Sequence, residues 1–212
     1  ARIDDLAGNA GAPSEAFAVT LDRSPPAAGA RITTVTDDVP LVTGSVANGG
    51  VTNDSAPTVS GTLSATPASG DVVEVLRNGQ PVGFATVSGT SWSFGDSGLP
   101  DGGTYTYTAR VVDGAGNRGS LGSGYSIVVD TTAPNHTLVD ADVVDNVKPG
   151  QGSVADGGTT NDTRPELTLK LDAVLSSGES LRIYRSTDSG DASMIGVAPR
   201  DRGTTYSYTE DS

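Results

Sequence analysis

Aspartate and asparagine side chains recur at fixed places in this chain of 212 residues, and their oxygens are of the kind that coordinates a hard cation. In the first cluster, Asp37 and Asp38 precede a loop, and Asn53 and Asp54 follow it. Ca²⁺ takes about six to eight oxygen ligands from carboxylates, side-chain amides and the backbone carbonyls of turns. The pattern therefore predicts calcium ligands here and in a second copy of the cluster, formed by Asp145, Asn146, Asn161 and Asp162.

Two further oxygen-bearing positions also recur. The loop from Asp113 to Asn117 reads Asp-Gly-Ala-Gly-Asn, and a related loop runs from Asp5 to Asn9. A single aspartate, Asp22 in one copy and Asp130 in the next, stands just before a proline-containing linker. These residues are also predicted to bind calcium. The alternative is that turns favour Asp, Asn and Gly whatever those residues bind.

The clusters return because the chain repeats itself at an offset of 108 residues. Residues 45–54 match residues 153–162, and residues 22–26 match residues 130–134. A fixed period of this kind indicates an array of similar domains. We therefore predict three segments: the last strands of one repeat (1–24), a complete repeat (25–132) and a repeat that stops before its last strands (133–212).

Composition argues against several classes of function. The formal net charge of −13 argues against a nucleic acid or an anionic membrane as partner, because both require a basic surface. No apolar stretch approaches the roughly 20 residues of a membrane span, so we expect no membrane insertion. The chain has no cysteine and one histidine, which leaves no pairing of a nucleophile with a base, and we predict that it is not an enzyme. Without disulfides, a bound metal is a candidate staple for a secreted domain.

Apolar residues alternate with polar ones in both copies, which is the period of a half-buried β-strand. The inward positions of the complete repeat are predicted to be Val59, Gly61, Leu63, Val73, Val75, Val82, Phe84, Trp92, Phe94, Tyr105, Tyr107, Ala109, Val111, Tyr125, Ile127 and Val129. With an initial strand near residues 31–36, each repeat has about seven short strands. That number of strands in about 100 residues predicts an all-β fold of tandem immunoglobulin-like β-sandwiches.

Two local signals support this fold, and the fold in turn places the clusters. Asn78-Gly79 predicts a type I′ hairpin turn, and the sequence before Tyr105 resembles a tyrosine corner. The sandwich topology puts the Asp37 cluster and Asp130 at the C-terminal pole, and the Asp113 loop at the N-terminal pole. We expect the clusters to meet at domain boundaries, where calcium would replace repulsion between carboxylates with coordination.

Three motifs carry a resemblance to a known family. The string Thr-Asn-Asp-x-x-Pro at Thr52 and Thr160, the Asp113 loop, and Val-Asp-Thr-Thr-Ala-Pro from Val129 resemble the tandem bacterial immunoglobulin-like repeats of giant secreted adhesins. These large biofilm-associated proteins are exported by type I secretion. The resemblance covers the whole chain, but the junction after Asp22 lacks the threonines. It implies a stalk on the bacterial cell surface that supports adhesion or biofilm formation, with calcium stiffening neighbouring repeats and any host or abiotic surface ligand bound elsewhere in the parent protein.

Other interpretations remain open. A ligand-binding or glycan-binding module would use the longer hairpin loop expected at residues 186–194, and an accessory domain of a secreted polysaccharide-degrading enzyme would have similar repeats. Trp92 is expected in the core, and His136 in an exposed linker. Because residues 1–24 supply late strands that residues 133–212 lack, separate chains are also expected to be able to complete each other by strand exchange.

Overall fold

The computed structural model describes residues 1–186, 190, 192–199 and 203–209, and in this part of the chain all regular structure is β. The chain divides into two compact units, Ala1–Thr132 and Ala133–Ser212. Within the described ranges no helix is long and apolar enough to cross a lipid bilayer.

The first unit contains nine strands. They are β1 (Ala30–Asp37), β2 (Gly44–Val46), β3 (Gly50–Thr52), β4 (Thr58–Leu63), β5 (Val72–Arg77), β6 (Gln80–Ser88), β7 (Ser91–Gly95), β8 (Thr104–Val112) and β9 (Tyr125–Val129). Seven of them correspond to the predicted strands. The other two, β2 and β3, have three residues each, which is too short for an alternation to be read from the sequence.

The strands form the two layers of an immunoglobulin-like sandwich. The hydrogen-bonded order is β2-β1-β4-β7-β6-β5-β8-β9-β3. Strand β6 pairs with β5 through its first part and with β7 through residues 86–88, so it passes from one layer to the other. All pairs are antiparallel except β3 with β9, which is parallel. The predicted fold class, an all-β immunoglobulin-like sandwich, is confirmed.

The core lies between the layers and contains most of the predicted inward residues. Trp92 is only 3% exposed, which confirms the expected core position. The buried core residues are Ala30, Ile32, Val35, Val46, Val59, Leu63, Val73, Val75, Trp92, Leu99, Tyr105, Tyr107, Ala109, Val111, Ile127 and Val129.

Phe84 was wrongly predicted to face the core, and its side chain is 62% exposed. In the ladder between β5 and β6 it lies opposite Glu74, so it shares the outer face of the layer with that residue. An irregularity between Val75 and Leu76 breaks the simple period of two. The register of the pair therefore decided which face Phe84 occupies.

Both local turn predictions are confirmed. Asn78 and Gly79 have φ values of 51° and 78°, which the type I′ turn between β5 and β6 requires. The Tyr105 hydroxyl donates a 2.9 Å hydrogen bond to the carbonyl oxygen of Pro100, as expected of a tyrosine corner.

Residues 1–29 form no strand, although residues 17–21 were expected to match β9. The chain there makes one isolated bridge, between Asp4 and Ala10. Phe17, Val19 and Leu21 are all largely exposed. A strand needs a hydrogen-bonded neighbour, and residues 17–21 have no strand partner among the described residues.

The second unit contains six described strands in two sheets. They are β10 (Leu138–Asp145), β11 (Gly152–Val154), β12 (Glu166–Leu171), β13 (Arg182–Ser186), β14 (Ala192–Val197) and β15 (Thr205–Thr209). One sheet has the order β11-β10-β12-β15, and β13 pairs with β14 in the other. The expected hairpin loop at residues 186–194 includes 187–189 and 191, which lie outside the described residues. The buried core of the unit is Leu169, Leu171, Ile183, Ala198 and Tyr206.

Candidate functional site

The first predicted cluster is a buried pair of aspartates joined by a threonine. Asp37 ends β1, Thr52 ends β3, and Asp54 follows two residues later. The Thr52 hydroxyl donates to Oδ2 of Asp37 at 2.5 Å and accepts the backbone N–H of Asp54 at 3.1 Å. The two aspartates are only 5% and 2% exposed. One hydroxyl thus ties the ends of two strands together through both acidic residues.

The carboxylates of this cluster also accept backbone donors. The N–H of Val39 donates to Oδ1 of Asp37 at 2.8 Å, and the N–H of Ala56 donates to Oδ1 of Asp54 at 2.7 Å. Buried carboxylates require such donors because burial without them is costly. Each aspartate therefore accepts the backbone N–H of the residue two positions later, so the turn that follows it supplies a donor to its carboxylate.

The second copy has the same arrangement. The Thr160 hydroxyl donates to Oδ2 of Asp145 at 2.7 Å and accepts the N–H of Asp162 at 2.9 Å. The backbone N–H of Val147 donates to Asp145, and that of Asn146 donates to Oδ2 of Asp162 at 3.1 Å. The hydrogen bond from Thr160 is the main reason that the pKa of Asp145 lies below its usual value.

The predicted amide residues pin the loop rather than entering the buried pair. The Asn53 side-chain amide donates to the carbonyl oxygen of Pro40, and that of Asn161 donates to the carbonyl oxygen of Lys148, both at 3.1 Å. The side chains of Asp38 and its counterpart Asn146 are exposed. Their oxygens are therefore accessible from solvent.

Asp130, directly after β9, joins the first cluster through the backbone. Its N–H donates to the carbonyl oxygen of Thr52 at 2.9 Å, and its Oδ1 accepts the N–H of Thr132 at 3.1 Å. The structure therefore brings Asp37, Asp54 and Asp130 to one end of the sandwich.

Sequence reasoning missed Asp101, which holds the chain as it leaves the first unit. Its Oδ1 accepts the N–H of Thr131 at 2.5 Å and the Thr131 hydroxyl at 3.0 Å, and its Oδ2 accepts the Thr132 hydroxyl at 2.7 Å. These bonds, that of Thr132 first, hold the pKa of Asp101 below its usual value. The sequence signal that could have pointed to Asp101 was the pair Thr131 and Thr132. At the earlier junction the corresponding residues are Arg23 and Ser24.

The Asp113 loop closes on itself. Oδ1 of Asp113 accepts the N–H groups of Ala115 and Asn117 at 2.9 and 2.8 Å, and Oδ2 accepts the Asn117 side-chain amide at 2.9 Å. Asp5 makes the equivalent bonds with Ala7 and Asn9. In both loops the asparagine side chain is the main reason that the pKa of the aspartate is lowered.

The Asp113 loop lies beside the chain that enters the sandwich. The Asn117 amide donates to the carbonyl oxygen of Asp22 at 3.3 Å. Asp22 uses its own carboxylate to accept the N–H of Ser24. The predicted residues of the first unit therefore form two separate groups, at opposite ends of β8, and Asp5 with Asn9 belongs to neither.

The chemical capacity of these groups is that of oxygen donors. Within the described ranges, no three His, Cys, Asp or Glu side chains are grouped so that they could hold a metal ion by themselves. A calcium site here would have to include amide and backbone carbonyl oxygens, which calcium accepts as ligands. Each carboxylate oxygen that accepts one hydrogen bond keeps a second lone pair for such a ligand role.

A second buried polar group supports the sandwich itself. The Tyr107 hydroxyl donates to Oδ2 of Asp96 at 2.7 Å, and Arg77 forms a 2.8 Å ion pair with the same carboxylate. Burial is the main cause of a raised pKa at Tyr107. Tyr107 stands where antibody domains have a cysteine, and here that position anchors a hydrogen-bonded ionic network.

His136 was wrongly expected to be exposed. Its side chain is 15% exposed, with Nδ1 3.4 Å from Asp172 and Nε2 3.1 Å from Glu179. The two carboxylates lie on opposite sides of the imidazole ring, so the three groups do not converge on a common ligand position.

A comparison with models of protein families agrees with the immunoglobulin-like sandwich described above. No curated protein sequence matches the chain. Bacterial immunoglobulin-like domains commonly occur in surface or extracellular proteins, are typically non-catalytic, and suit the role of an extender module. Residues 31–131, which contain all of the strands from β2 to β9 and most of β1, match a family model described as a bacterial Ig-like domain.

Proposed function

We propose that this chain is a non-catalytic extender segment of a large bacterial cell-surface adhesin, located outside the cell and supporting adhesion or biofilm formation. The observation that carries the proposal is that the chain enters and leaves the first sandwich at opposite ends and is held at both. Asn117 holds the entering chain at Asp22, and Asp101 holds the leaving chain at Thr131 and Thr132.

This arrangement suits a module whose task is reach. The nine residues of β8 run between the two ends, and at about 3.4 Å per residue they span about 30 Å. A domain with its termini at the same end would add little length to a stalk. The linker after Thr132 continues as Ala133-Pro134, and proline restricts the backbone of such a short connection.

We also propose that calcium stiffens the junctions between neighbouring repeats. The support is chemical: the chain carries 26 acidic residues against 13 basic ones, and several of the acids lie at the C-terminal end of the sandwich. The proposed ligands there are Asp37, Asp38, Asn53, Asp54 and Asp130, with Asp145, Asn146, Asn161 and Asp162 in the second unit. At the other end they are Asp22, Asp113 and Asn117, with Asp5 and Asn9 in the earlier copy.

Thermal unfolding tests calcium binding. Calcium should raise the midpoint relative to the same protein in a chelator, because a ligand that binds only the folded state stabilises it. Magnesium is the matched control, since its smaller size and octahedral geometry suit these loops less well. Equal midpoints in calcium and in chelator would count against bound calcium, but they would leave the extender role intact.

Small-angle X-ray scattering of a polypeptide with several repeats tests the extender role. We expect the profile of an elongated particle in calcium and a shorter maximum dimension in chelator. The Asp101→Ala variant should shorten the particle even in calcium, because it frees the chain where it leaves the sandwich. A compact particle under both conditions would contradict the extender proposal.

A further inference from the structure

The imidazole ring of His136 lies between two carboxylates within the second unit. Its Nδ1 is 3.4 Å from Oδ1 of Asp172, which directly follows β12. Its Nε2 is 3.1 Å from Oε2 of Glu179, in the connection between β12 and β13. Among the described residues, these two are the acidic groups within ion-pair distance of the ring. The ring is largely buried, so solvent ions screen these contacts less than contacts at the open surface.

This geometry matches only one protonation state of the ring. Neutral imidazole has one N–H and one lone pair, so one of its nitrogens would present a lone pair to a carboxylate. The imidazolium has two N–H groups and can donate to both carboxylates, with opposite charges beside it. Because both nitrogens of His136 face an acid, the site fits the charged ring.

The first unit has the same backbone arrangement at the position of Asp172. There the N–H of Gly29 donates to the Ser64 hydroxyl, and the N–H of Ser64 donates to the carbonyl oxygen of Gly29, both at 2.9 Å. In the second unit the N–H of Thr137 donates to Oδ1 of Asp172, and the N–H of Asp172 donates to the carbonyl oxygen of Thr137, both at 3.1 Å. The side chain that holds the start of the first strand is therefore neutral in one unit and acidic in the other.

The turn that carries Glu179 is also common to both units. The N–H of Ser176 donates to Oε2 of Glu179, and the N–H of Glu179 donates to the carbonyl oxygen of Ser176. In the first unit Ala68 and Asp71 make the same two bonds, at 3.0 and 3.1 Å. The backbone that positions the acids is thus shared, and the side chains decide whether a charged cluster forms on it.

All three positions of the cluster differ between the units. In the first unit they are occupied, in chain order, by Ala28, Ser64 and Asp71. The first of these has no polar side-chain group, the second has no charge, and the third is one methylene shorter than Glu179. The complete cluster is therefore a feature of the second unit, although the backbone for it is present in both.

We propose that His136, Asp172 and Glu179 form a protonation-dependent clasp, which holds the start of β10 to the connection between β12 and β13 when the ring is charged. Histidine is the one side-chain type that ordinarily titrates between about pH 5 and 8, and this chain has a single histidine. Because the fold matches the charged ring, the stabilisation is present where the ring is protonated and is lost as the pH rises through its titration.

The acids keep their charge over the range in which the clasp acts. The pKa of Asp172 lies below its usual value, first because of the backbone N–H of Thr137 and also because of the His136 ring. The clasp uses none of the proposed calcium ligands and does not depend on the extender role, so it stands or falls separately from the proposed function.

Urea unfolding of the full chain at about pH 5.5 and about pH 7.5 tests the clasp. NMR amide signals of Leu171 and Ile127, both buried in strands, report the second and the first unit separately. We expect the folding equilibrium constant of the second unit to fall about three- to tenfold at the higher pH, since partly exposed ion pairs are individually weak. The first unit, with alanine in place of His136, is the internal control and should change less.

The variant His136→Gln keeps a polar side chain without the titration, and we expect it to remove the pH difference of the second unit. A natural second unit that is equally stable at both pH values would overturn the proposal. So would a pH difference that His136→Gln retains in full.

The variant Glu179→Gln separates the clasp from a histidine that titrates without partners. It keeps the length of the side chain and removes its charge, so it should reduce the pH difference of the second unit. Asp156→Asn removes one acid from an exposed turn of the same unit and is the matched control, which should leave the difference unchanged. An undiminished pH difference in Glu179→Gln, or an equal reduction in both variants, would contradict the clasp.

Discussion

The Asp37 cluster of the first unit and the Asp145 cluster of the second have the same hydrogen bonds, although the strands around them are packed to different extents. Thr52 and Thr160 each donate to one aspartate and accept from another. Only a few positions away, Val35 is fully buried and its counterpart Val143 is half-buried. The difference shows that turn chemistry forms these clusters locally, whereas burial depends on which strands are present to cover a position.

The interiors of the two units also solve one packing problem in different ways. In the first unit Gly61 lies opposite Trp92, and in the second Leu169 lies opposite Tyr206. The irregularity in the first strand is displaced as well, from between Ile32 and Thr34 in β1 to the step after Leu138 in β10. Glycine opposite the larger tryptophan ring in the first unit thus corresponds to leucine opposite the smaller tyrosine ring in the second.

The largest expected effect on stability comes from placing the leucine found at position 169 of the second unit at the equivalent position, Gly61, of the first. In the variant Gly61→Leu, the new Cβ would overlap the carbonyl oxygen of Arg31 and the Trp92 ring. We expect a loss of about 3 kcal/mol or more in the free energy of unfolding, measured by circular dichroism in denaturant.

Adding Trp92→Tyr to that variant isolates the cause. It relieves the contact with the ring but leaves the clash with the backbone of Arg31, so we expect recovery of only part of the loss. Full recovery would mean that ring size alone separates the two units. A Gly61→Leu protein as stable as the natural chain would contradict the packing comparison itself.

A smaller effect is expected when the shared cluster is altered in either unit. Thr52→Val removes the hydroxyl that donates to Asp37 and accepts from the Asp54 backbone, while keeping the shape of the side chain. Removing this partner from the buried Oδ2 of Asp37 and the buried N–H of Asp54 should cost about 1–3 kcal/mol. Thr160→Val should cost a similar amount in the second unit. Thermal unfolding of both variants and of the control Thr52→Ser, which keeps a hydroxyl, checks this.

A large loss for one threonine variant and none for the other would break the comparison. It would show that the surrounding strands, and not the turn, supply the stability of the cluster. Retention of full stability by both would show that the hydroxyl is dispensable in each.

The smallest expected effect concerns the two closed loops. The pKa of Asp113 and that of Asp5 are both lowered by the asparagine four residues later. A lowered pKa in the folded state means that the stabilisation is present above the ordinary aspartate pKa of 3.8 and is lost as the pH falls through the folded pKa.

Asn117→Ala and Asn9→Ala should therefore raise the pKa of Asp113 and Asp5 by similar amounts, as followed by NMR of the side-chain carboxyl carbons. Similar shifts would show that the loop forms by itself in both surroundings. A shift at Asp113 alone would show that the loop needs the sandwich around it.

Much of the fold was readable from the sequence because β-sandwich strands carry their own period. The seven longer strands of the first unit, the Asn78-Gly79 turn and the tyrosine corner at Tyr105 were all predictable from local patterns. Phe84 was not, because the ladder with β5 decides its face. Contacts between residues distant in sequence, such as Asp101 with Thr131 or His136 with Asp172, leave no local pattern to read.

By itself the sequence determined the 108-residue offset between its similar segments. It also determined the inward alternation of most strands and the turns that enclose each aspartate, because these depend on neighbours within a few residues. The tertiary structure alone decided that the Thr52 hydroxyl joins Asp37 to Asp54 and that Asp101 holds the departing chain. It also decided that Ile127 is buried while Val19 is bare. The physical reason is that burial and convergence require a strand from elsewhere in the chain, and only the folded packing says which strand arrives.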